Sequence, residues 1–372
     1  MPEIILTNVT KRFGKFTAVE NLNLHIADGG FVTLLGPSGC GKTTTLRMIA
    51  GLESPTEGEI SIDGKPVFSS LKGIDISPDK RDVGFLFQNY ALWPHMTVEQ
   101  NISFGLENLK WDKQRIKARV NELLVMLKIE SFGKRYPSEL SGGQQQRVAI
   151  ARTLATGPRV LFMDEPLSNL DAKLRTEMRS ELKRLHSETD STFVYVTHDQ
   201  LEAMTLSTKT CLMKEGIVQQ YAPPLELYNR PANVFAADFV GSPTMNFVDA
   251  KGRKGSSGEI LLPAADREFV FTPVSGDIAI RDNQELTIGI RPEYIQISDN
   301  GSVSAKTYAA LPSGMETIVK IRLGDLILTS VVFGAIDYKA DTGIKIDFTG
   351  DNCILFDKES GNNLGLGKVK VL

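Results

Sequence analysis

Phe31-Val32-Thr33-Leu34-Leu35-Gly36-Pro37-Ser38-Gly39-Cys40-Gly41-Lys42-Thr43-Thr44 is the stretch that decides the fold. Five residues, four of them apolar, run into a glycine-rich turn, and a helical pattern follows over 44–49. The turn matches G-x-x-x-x-G-K-[ST] between a strand and a helix, the context that gives such a match weight. Glycines suit this turn because backbone N–H groups can wrap phosphate oxygens only where side chains stay out of the way. The helix N-terminus adds its partial positive charge. Gly36, Pro37, Ser38, Gly39, Cys40, Gly41, Lys42, Thr43 and Thr44 are therefore the expected phosphate cradle. Lys42 is expected to reach the β- and γ-phosphates and Thr43 to bind Mg²⁺. The bland alternative is a glycine turn that matches by chance.

Working outward, Val160-Leu161-Phe162-Met163 and Phe193-Val194-Tyr195-Val196-Thr197 also read as strands covered on both faces. Amphipathic helical patterns lie between them: Ile116, Val120, Leu123 and Leu127, then Leu170, Leu174, Met178, Leu182 and Leu185. Strands alternating with helices predict a mainly parallel α/β sheet, which binds ligands at the C-terminal ends of its strands. Asp164-Glu165 stands at one such end. Alone, the pair reads as two solvated carboxylates. Beside a phosphate loop, Asp164 suits Mg²⁺ binding and Glu165 the attacking water. His198 follows the next strand and, by the same logic, is a γ-phosphate contact rather than a structural histidine. Leu140-Ser141-Gly142-Gly143-Gln144-Gln145-Gln146-Arg147 opens a further helix. It is either an ordinary Ser-capped start or a second anion-binding end serving a different nucleotide.

The chain has 372 residues, with 42 Lys+Arg against 45 Asp+Glu for a net charge of −3. Two or three domains are expected at that length. The charge balance gives no reason to expect nucleic acid as a partner. Hydrophobic residues at 41% and charged ones at 23% are ordinary for a globular chain. No window approaches the roughly 18 apolar residues of a membrane span, and Met1-Pro2-Glu3-Ile4 begins no secretory signal. Cys40, Cys211 and Cys353 are too few and too scattered for a disulfide framework, which favours a reducing compartment. After Tyr221-Ala222-Pro223-Pro224, Arg230-Pro231 and Gly241-Ser242-Pro243 the texture changes to short alternating runs, such as Thr317-Ile318-Val319-Lys320-Ile321. These predict a small β barrel or sandwich. Residues 251–258, polar and glycine-rich, read as a loop.

The phosphate loop, Leu-Ser-Gly-Gly-Gln at 140–144, Asp164-Glu165 and His198 stand in the order of an ATP-binding cassette (ABC) transporter ATPase, which the chain resembles. Pro94-His95-Met96-Thr97-Val98, Asp164-Glu165-Pro166-Leu167-Ser168-Asn169-Leu170-Asp171-Ala172 and Thr197-His198-Asp199-Gln200 resemble the subgroup that energises carbohydrate importers, similar to the maltose importer's ATPase. That likeness covers roughly residues 4–238. Gly289-Ile290-Arg291-Pro292-Glu293 resembles, more loosely, the OB-fold-like regulatory domain of the same subgroup.

The resemblance implies a P-loop ATPase domain over 1–240, with a helical subdomain at about 92–157, and a β-rich regulatory or dimerisation domain over 241–372. It implies that Phe13 stacks on adenine and that Gln88 touches Mg²⁺ or water and senses the membrane partner. Ser141, Gly142, Gly143 and Gln144 would meet the γ-phosphate held by a second copy, and Asp171 would communicate between the two sites. Residues 90–97 would face membrane permease subunits, with Leu92, Trp93 and Met96 either an exposed patch or core. Two copies would enclose two ATP at the cytoplasmic face of a membrane, served by an extracytoplasmic solute-binding protein. The cargo is expected to be a carbohydrate, with polyamine, glycerol phosphate or metal as alternatives. A soluble cassette acting on nucleic acid or ribosomes is the reading from another class, disfavoured by the single cassette, the absence of a basic tail and the permease-facing stretch. Three departures stand out: Gly29-Gly30 in place of Gly-Glu, Ser207-Thr208-Lys209 in place of Ala-Asp-Arg, and a longer stretch over 69–79. None falls on an expected phosphate contact.

Overall fold

The computed structural model describes residues 2–189 and 191–372. It divides into two compact units, Met1–Pro224 and Leu225–Leu372. In the first, β1 (Ile4–Phe13) and β2 (Phe16–Ile26) form a hairpin and β3 (Phe31–Leu35) runs into α1 (Lys42–Ala50). Next come β4 (Glu57–Ile62), β5 (Lys65–Ser69), β6 (Ile74–Asp75) and β7 (Val83–Leu86), then the helices α2 (Val98–Asn108), α3 (Lys113–Met126) and α4 (Gly142–Ala155). β8 (Val160–Asp164), α5 (Ala172–Glu188), β9 (Thr192–Thr197), α6 (Gln200–Leu206), β10 (Lys209–Lys214) and β11 (Ile217–Ala222) complete it.

Two sheets organise this unit. One is antiparallel, in the order β2-β1-β4-β5-β6, and β6 is built from the long stretch over 69–79. The other runs β11-β10-β3-β9-β8-β7 and is parallel from β10 to β7. Its central strands are buried throughout. Alternate side chains feed two cores, as a period of two requires. Phe31, Phe193 and Tyr195 pack with the helices α2 to α5, while Val32, Val194 and Val196 pack with α1 and the antiparallel sheet. The parallel register sets Leu35 opposite Thr197, Val196 opposite Asp164, and Met163 opposite Leu86. Four strands therefore end side by side, and the segments that leave those ends carry the phosphate loop, His198, Glu165 and Gln88.

The second unit begins within α7 (Pro224–Asn229), followed by α8 (Val234–Phe239). Its strands are β12 (Asn246–Lys254), β13 (Ile260–Ala264), β14 (Arg267–Pro273), β15 (Gln284–Ile290), β16 (Ile295–Ile297), β17 (Val303–Pro312), β18 (Glu316–Leu323), β19 (Leu326–Phe333), β20 (Gly343–Phe348), β21 (Cys353–Asp357) and β22 (Asn363–Val371). Strands β12-β13-β14-β22-β21-β15 close a barrel, and β16-β20-β17-β18-β19 form a further sheet. One apolar core joins them, with Val248, Phe269 and Ile288 of the barrel beside Val319 and Ile346 of the sheet.

The division after Pro224 places α7 and α8 with the β-rich unit, and the side chain of Arg291 shows why. Arg291 is 2% exposed. It donates to the carbonyls of Tyr228, Ala237 and Val240 at 2.7, 3.1 and 2.6 Å, filling acceptors that the ends of α7 and α8 leave open. Its guanidinium also stacks 3.9 Å from the centre of the Tyr228 ring.

One expectation is corrected here. Residues 251–254, expected in a loop, belong to β12, paired from Lys251↔Glu285 to Lys254↔Ile260. A barrel strand shows a polar face to solvent, which hid the strand in a run of Lys, Arg and Gly. Gly252 is buried because Leu286 fills the place of its side chain: a Cβ there would lie 2.4 Å from Leu286 Cδ1.

Candidate nucleotide site

The phosphate loop is glycine-rich for steric reasons that the structure makes explicit. Gly36 and Gly41 have φ of 151° and 98°, and a Cβ would lie 2.2 Å from the carbonyl oxygen of Met213 and 2.5 Å from that of Ala18, respectively. Gly39, at φ 79°, faces open space. Pro37, Ser38 and Gly39 are at least partly exposed, and Gly36 and Cys40 are buried. Burial pushes the Cys40 thiol up against the pull of Lys42. Lys42 opens α1 and folds back over the loop, its Nζ donating to the carbonyls of Gly36 and Pro37 at 2.8 and 2.9 Å. The ammonium is thus held above the cradle it is expected to serve. Thr44 follows, half-buried.

Thr43 and Asp164 meet, as the sheet register requires. Thr43 Oγ1 donates to Asp164 Oδ1 at 2.8 Å, and Arg47 lies 3.5 Å from Asp164 Oδ2. Asp164 is buried. Desolvation raises its carboxyl above the ordinary range, against the opposing pull of Thr43 and Arg47. A hydroxyl and a desolvated carboxylate in hydrogen-bond contact form a hard oxygen donor set that suits Mg²⁺. Glu165, the next residue, has φ of +45°. That left-handed turn at a non-glycine residue swings the chain out of the strand. Glu165 Oε2 lies 3.3 Å from His198 Nδ1, so the carboxylate and the imidazole are already paired; the histidine is largely exposed.

Gln88 is exposed and joins the same cluster. Its Nε2 donates to Ser168 Oγ at 3.3 Å, Ser168 Oγ donates to the Glu165 carbonyl at 2.8 Å, and Asn169 Nδ2 donates to the Gln88 carbonyl at 3.3 Å. Ser168 and Asn169 were not singled out in the sequence, where they are two small polar residues of a loop. Glu202 was also missed. It is 3% exposed and accepts from Tyr195 and Thr197 at 2.7 and 2.6 Å. Burial raises its carboxyl and pushes the Tyr195 phenol well above its ordinary value. The pattern Asp199-x-x-Glu202 signals a helix start, and Asp199 does accept from the N–H groups of Leu201 and Glu202.

The remaining expected residues stand apart from this cluster. Phe13 sits at the β1–β2 hairpin tip, 47% exposed, with Lys11 Nζ 4.7 Å from its ring centre, so it is not a core residue. Ser141 and Gly142 are exposed at the start of α4, and Gln144 accepts from the Ser141 N–H at 2.9 Å. Gly143 is buried against Leu174, where a Cβ would meet Cδ2 at 2.6 Å. Among the described residues, 141–144 make no hydrogen bond to the phosphate loop. Asp171 is exposed and caps α5 by accepting from the Leu174 N–H at 3.0 Å. Leu92, Trp93 and Met96 are half-buried. The Trp93 ring lies 4.2 Å from that of Phe104, with the Arg152 guanidinium 4.6 Å away. No helix among the described residues is long and apolar enough to cross a membrane.

Comparison with known proteins identifies the family. Residues 19–168 match the ABC transporter family model, and residues 241–295 match the MalK OB fold domain. The trehalose/maltose import ATP-binding protein MalK of Thermococcus litoralis is 43% identical over 97% of this chain and 99% of its own length. The osmoprotective compounds uptake ATP-binding protein GgtA of Synechocystis is 46% identical over 79% of this chain and 78% of its own. A solved dimeric ATP-binding cassette, in a post-hydrolysis state bound to ADP and Pi, is 36% identical with a TM-score of 0.52, covering 59% of this chain and 98% of that one. Full-length likeness at this level settles kinship: the chain belongs to the ATP-binding subunits of ABC transporters that carry a MalK-type OB-fold domain, and it is a nucleotide-binding ATP hydrolase.

Proposed function

We propose that this chain is the ATP-hydrolysing subunit of an importer for a carbohydrate or related solute, working as a homodimer on the cytoplasmic face of membrane permease subunits. The observation that carries the reading is the convergence of Lys42, Thr43, Asp164, Glu165, Gln88 and His198 at neighbouring ends of one parallel sheet. The named relatives, importers of trehalose/maltose and of osmoprotective compounds, support the solute class. An extracytoplasmic solute-binding protein belongs to the same reading.

The chemistry is phosphoryl transfer to water, and position and charge do most of the work. Lys42 leaves its loop carbonyls for the β- and γ-phosphates, while the N–H groups of residues 38–44 wrap the phosphate oxygens. Thr43, Gln88 and Asp164 would hold Mg²⁺, which would offset phosphate charge when bound. Glu165 orients the attacking water and accepts its proton. His198, paired with Glu165, contacts the γ-phosphate oxygens. Phe13 stacks on adenine. Ser141, Gly142, Gly143 and Gln144 of one copy, with Asp171 nearby, close over the γ-phosphate held by the other. ATP then favours the closed dimer, and loss of the γ-phosphate lets it reopen. Moving such an equilibrium from 1:99 to 99:1 takes about 5.5 kcal/mol of differential binding.

Reconstitution in liposomes with permease subunits and a solute-binding protein tests the proposal. ATP turnover should rise when the binding protein is loaded with a trehalose- or maltose-type sugar and stay basal without it. Turnover that ignores every carbohydrate offered would refute the solute class.

A further inference from the structure

Arg175 lies outside the phosphate-loop, Asp164-Glu165 and His198 motifs, yet it touches two loops at once. It lies one turn into α5, four residues after Asp171. Its Nη2 donates to the Leu170 carbonyl at 3.0 Å, in the loop that leads from Glu165 into α5. Its Nη1 lies 3.6 Å from Asp199 Oδ2, in the residue after His198. Asp199 is itself held firmly: it caps α6 through Oδ1, and its N–H donates to Thr197 Oγ1 at 2.9 Å. On the other side of the loop, Ser168 and Asn169 are tied to Gln88.

We propose that Arg175 is a positioning residue that couples the His198 loop to the 168–171 loop, so that terminal-phosphate contact at His198 is felt at the face meeting a second copy. This rests on the dimeric ATPase reading above. As a stabilising ion pair the contact has little value. Arg175 and Asp199 side chains are 33% and 29% exposed, and ion pairs this open to solvent add little to stability. Its geometry is the informative part. A guanidinium is a rigid fork that serves two acceptors together, which a single ammonium does not.

The fork is also incompletely satisfied. Arg175 Nε is buried with no hydrogen-bond partner. The Arg175 side chain helps to line a cavity of about 40 Å³ together with Glu165, Ser168, His198 and Asp199. A buried donor without a partner costs free energy, so this N–H adds nothing that holds the loops in their present arrangement. The cavity gives them room to shift. A movement of His198 toward a bound γ-phosphate carries Asp199 with it, and Arg175 passes the displacement to Leu170 and Asp171.

The test uses the full-length chain, Mg²⁺ and ATP, with turnover measured against ATP concentration and nucleotide affinity measured separately at equilibrium. The wild type should show sigmoidal turnover. Arg175→Ala should turn the curve hyperbolic and lower kcat about tenfold, while ATP affinity stays unchanged. Asp199→Asn keeps an α6 cap and removes only the charge, so it should do the same. The double variant should be no worse than either single one, the mark of a shared interaction. Arg175→Lys should not rescue cooperativity. If Arg175→Ala does not fold, Asp199→Asn and Arg175→Lys carry the test. Sigmoidal turnover in those variants, or losses that add, would overturn the role of Arg175 alone. Hyperbolic turnover in the wild type would overturn the dimeric reading and this inference together.

Discussion

Asp164 illustrates how one residue trades stability for chemistry. Its carboxyl is raised by burial, so the native state holds this proton more tightly than the unfolded chain does. Stability therefore falls as pH rises from the ordinary carboxylate range through the raised value, and at neutral pH the ionised group is a net cost. Asp164→Asn keeps an oxygen to accept from Thr43 and removes the charge. Without nucleotide, the variant should melt above the wild type at pH 7, and the gap should close as the pH is lowered toward 4. With Mg²⁺ and ATP the order should reverse, because the wild type gains more from its ligand. Thermal melts at two pH values, with and without nucleotide, check both halves; a variant less stable than the wild type at pH 7 without ligand would contradict the burial cost. Much of the site was legible at this scale. Lys42, Thr43, Asp164, Glu165 and His198 each follow an apolar run or sit in a motif whose chemistry dictates the residue type. Ser168, Asn169, Arg175 and Glu202 were not legible, because their roles depend on contacts between loops far apart in sequence. The left-handed turn at Glu165 was equally hidden, since no glycine announces it.

At the scale of elements, period and capping explain what could be read. The central parallel strands are mostly apolar and buried throughout, and α3 and α5 keep their apolar spacing, so both are visible in the sequence. Asp171 was noticed for a different reason than the one the fold gives it, the cap of α5. The β-rich unit was visible only as a texture, since short barrel strands alternate and their outer faces are polar; β12 was lost for that reason. In the sequence Arg291 stands only within the stretch that resembles an OB-fold-like domain; its physical task, closing three carbonyls at the ends of α7 and α8, depends on the fold. Arg291→Met keeps the apolar stem but strips those carbonyls of their donor. At about 1 kcal/mol for each buried acceptor left open, the loss should be ~3 kcal/mol. The urea midpoint followed by far-ultraviolet circular dichroism should fall accordingly, and an unchanged midpoint would show that water or neighbouring groups replace the guanidinium.

For the whole molecule, the adjacent ends of the parallel strands β3, β9, β8 and β7 explain why residues from 36 to 198 converge, but they leave the start of α4 out of it. Ser141 and Gly142 are exposed there, with no hydrogen bond to the phosphate loop among the described residues, although one of the two readings of this helix start in the sequence is a second anion-binding end. In the proposed dimer the α4 end of one chain closes over the phosphates of the other, which accounts for the mismatch. Such closure should trap nucleotide, and trapping is measurable whether or not the copies also associate elsewhere. Glu165→Gln keeps the shape of the side chain and removes its capacity to accept a proton, which should cut turnover about a hundredfold or more. It should therefore hold ATP in a slowly exchanging form. Adding Ser141→Arg places a long cation where a γ-phosphate and its cradle must fit, at an exposed site where the fold itself is not disturbed. The double variant should bind ATP with near-normal affinity per chain yet release it fast in a chase with unlabelled nucleotide. Slow release from the double variant would mean that nucleotide is not enclosed by the α4 end of a second copy.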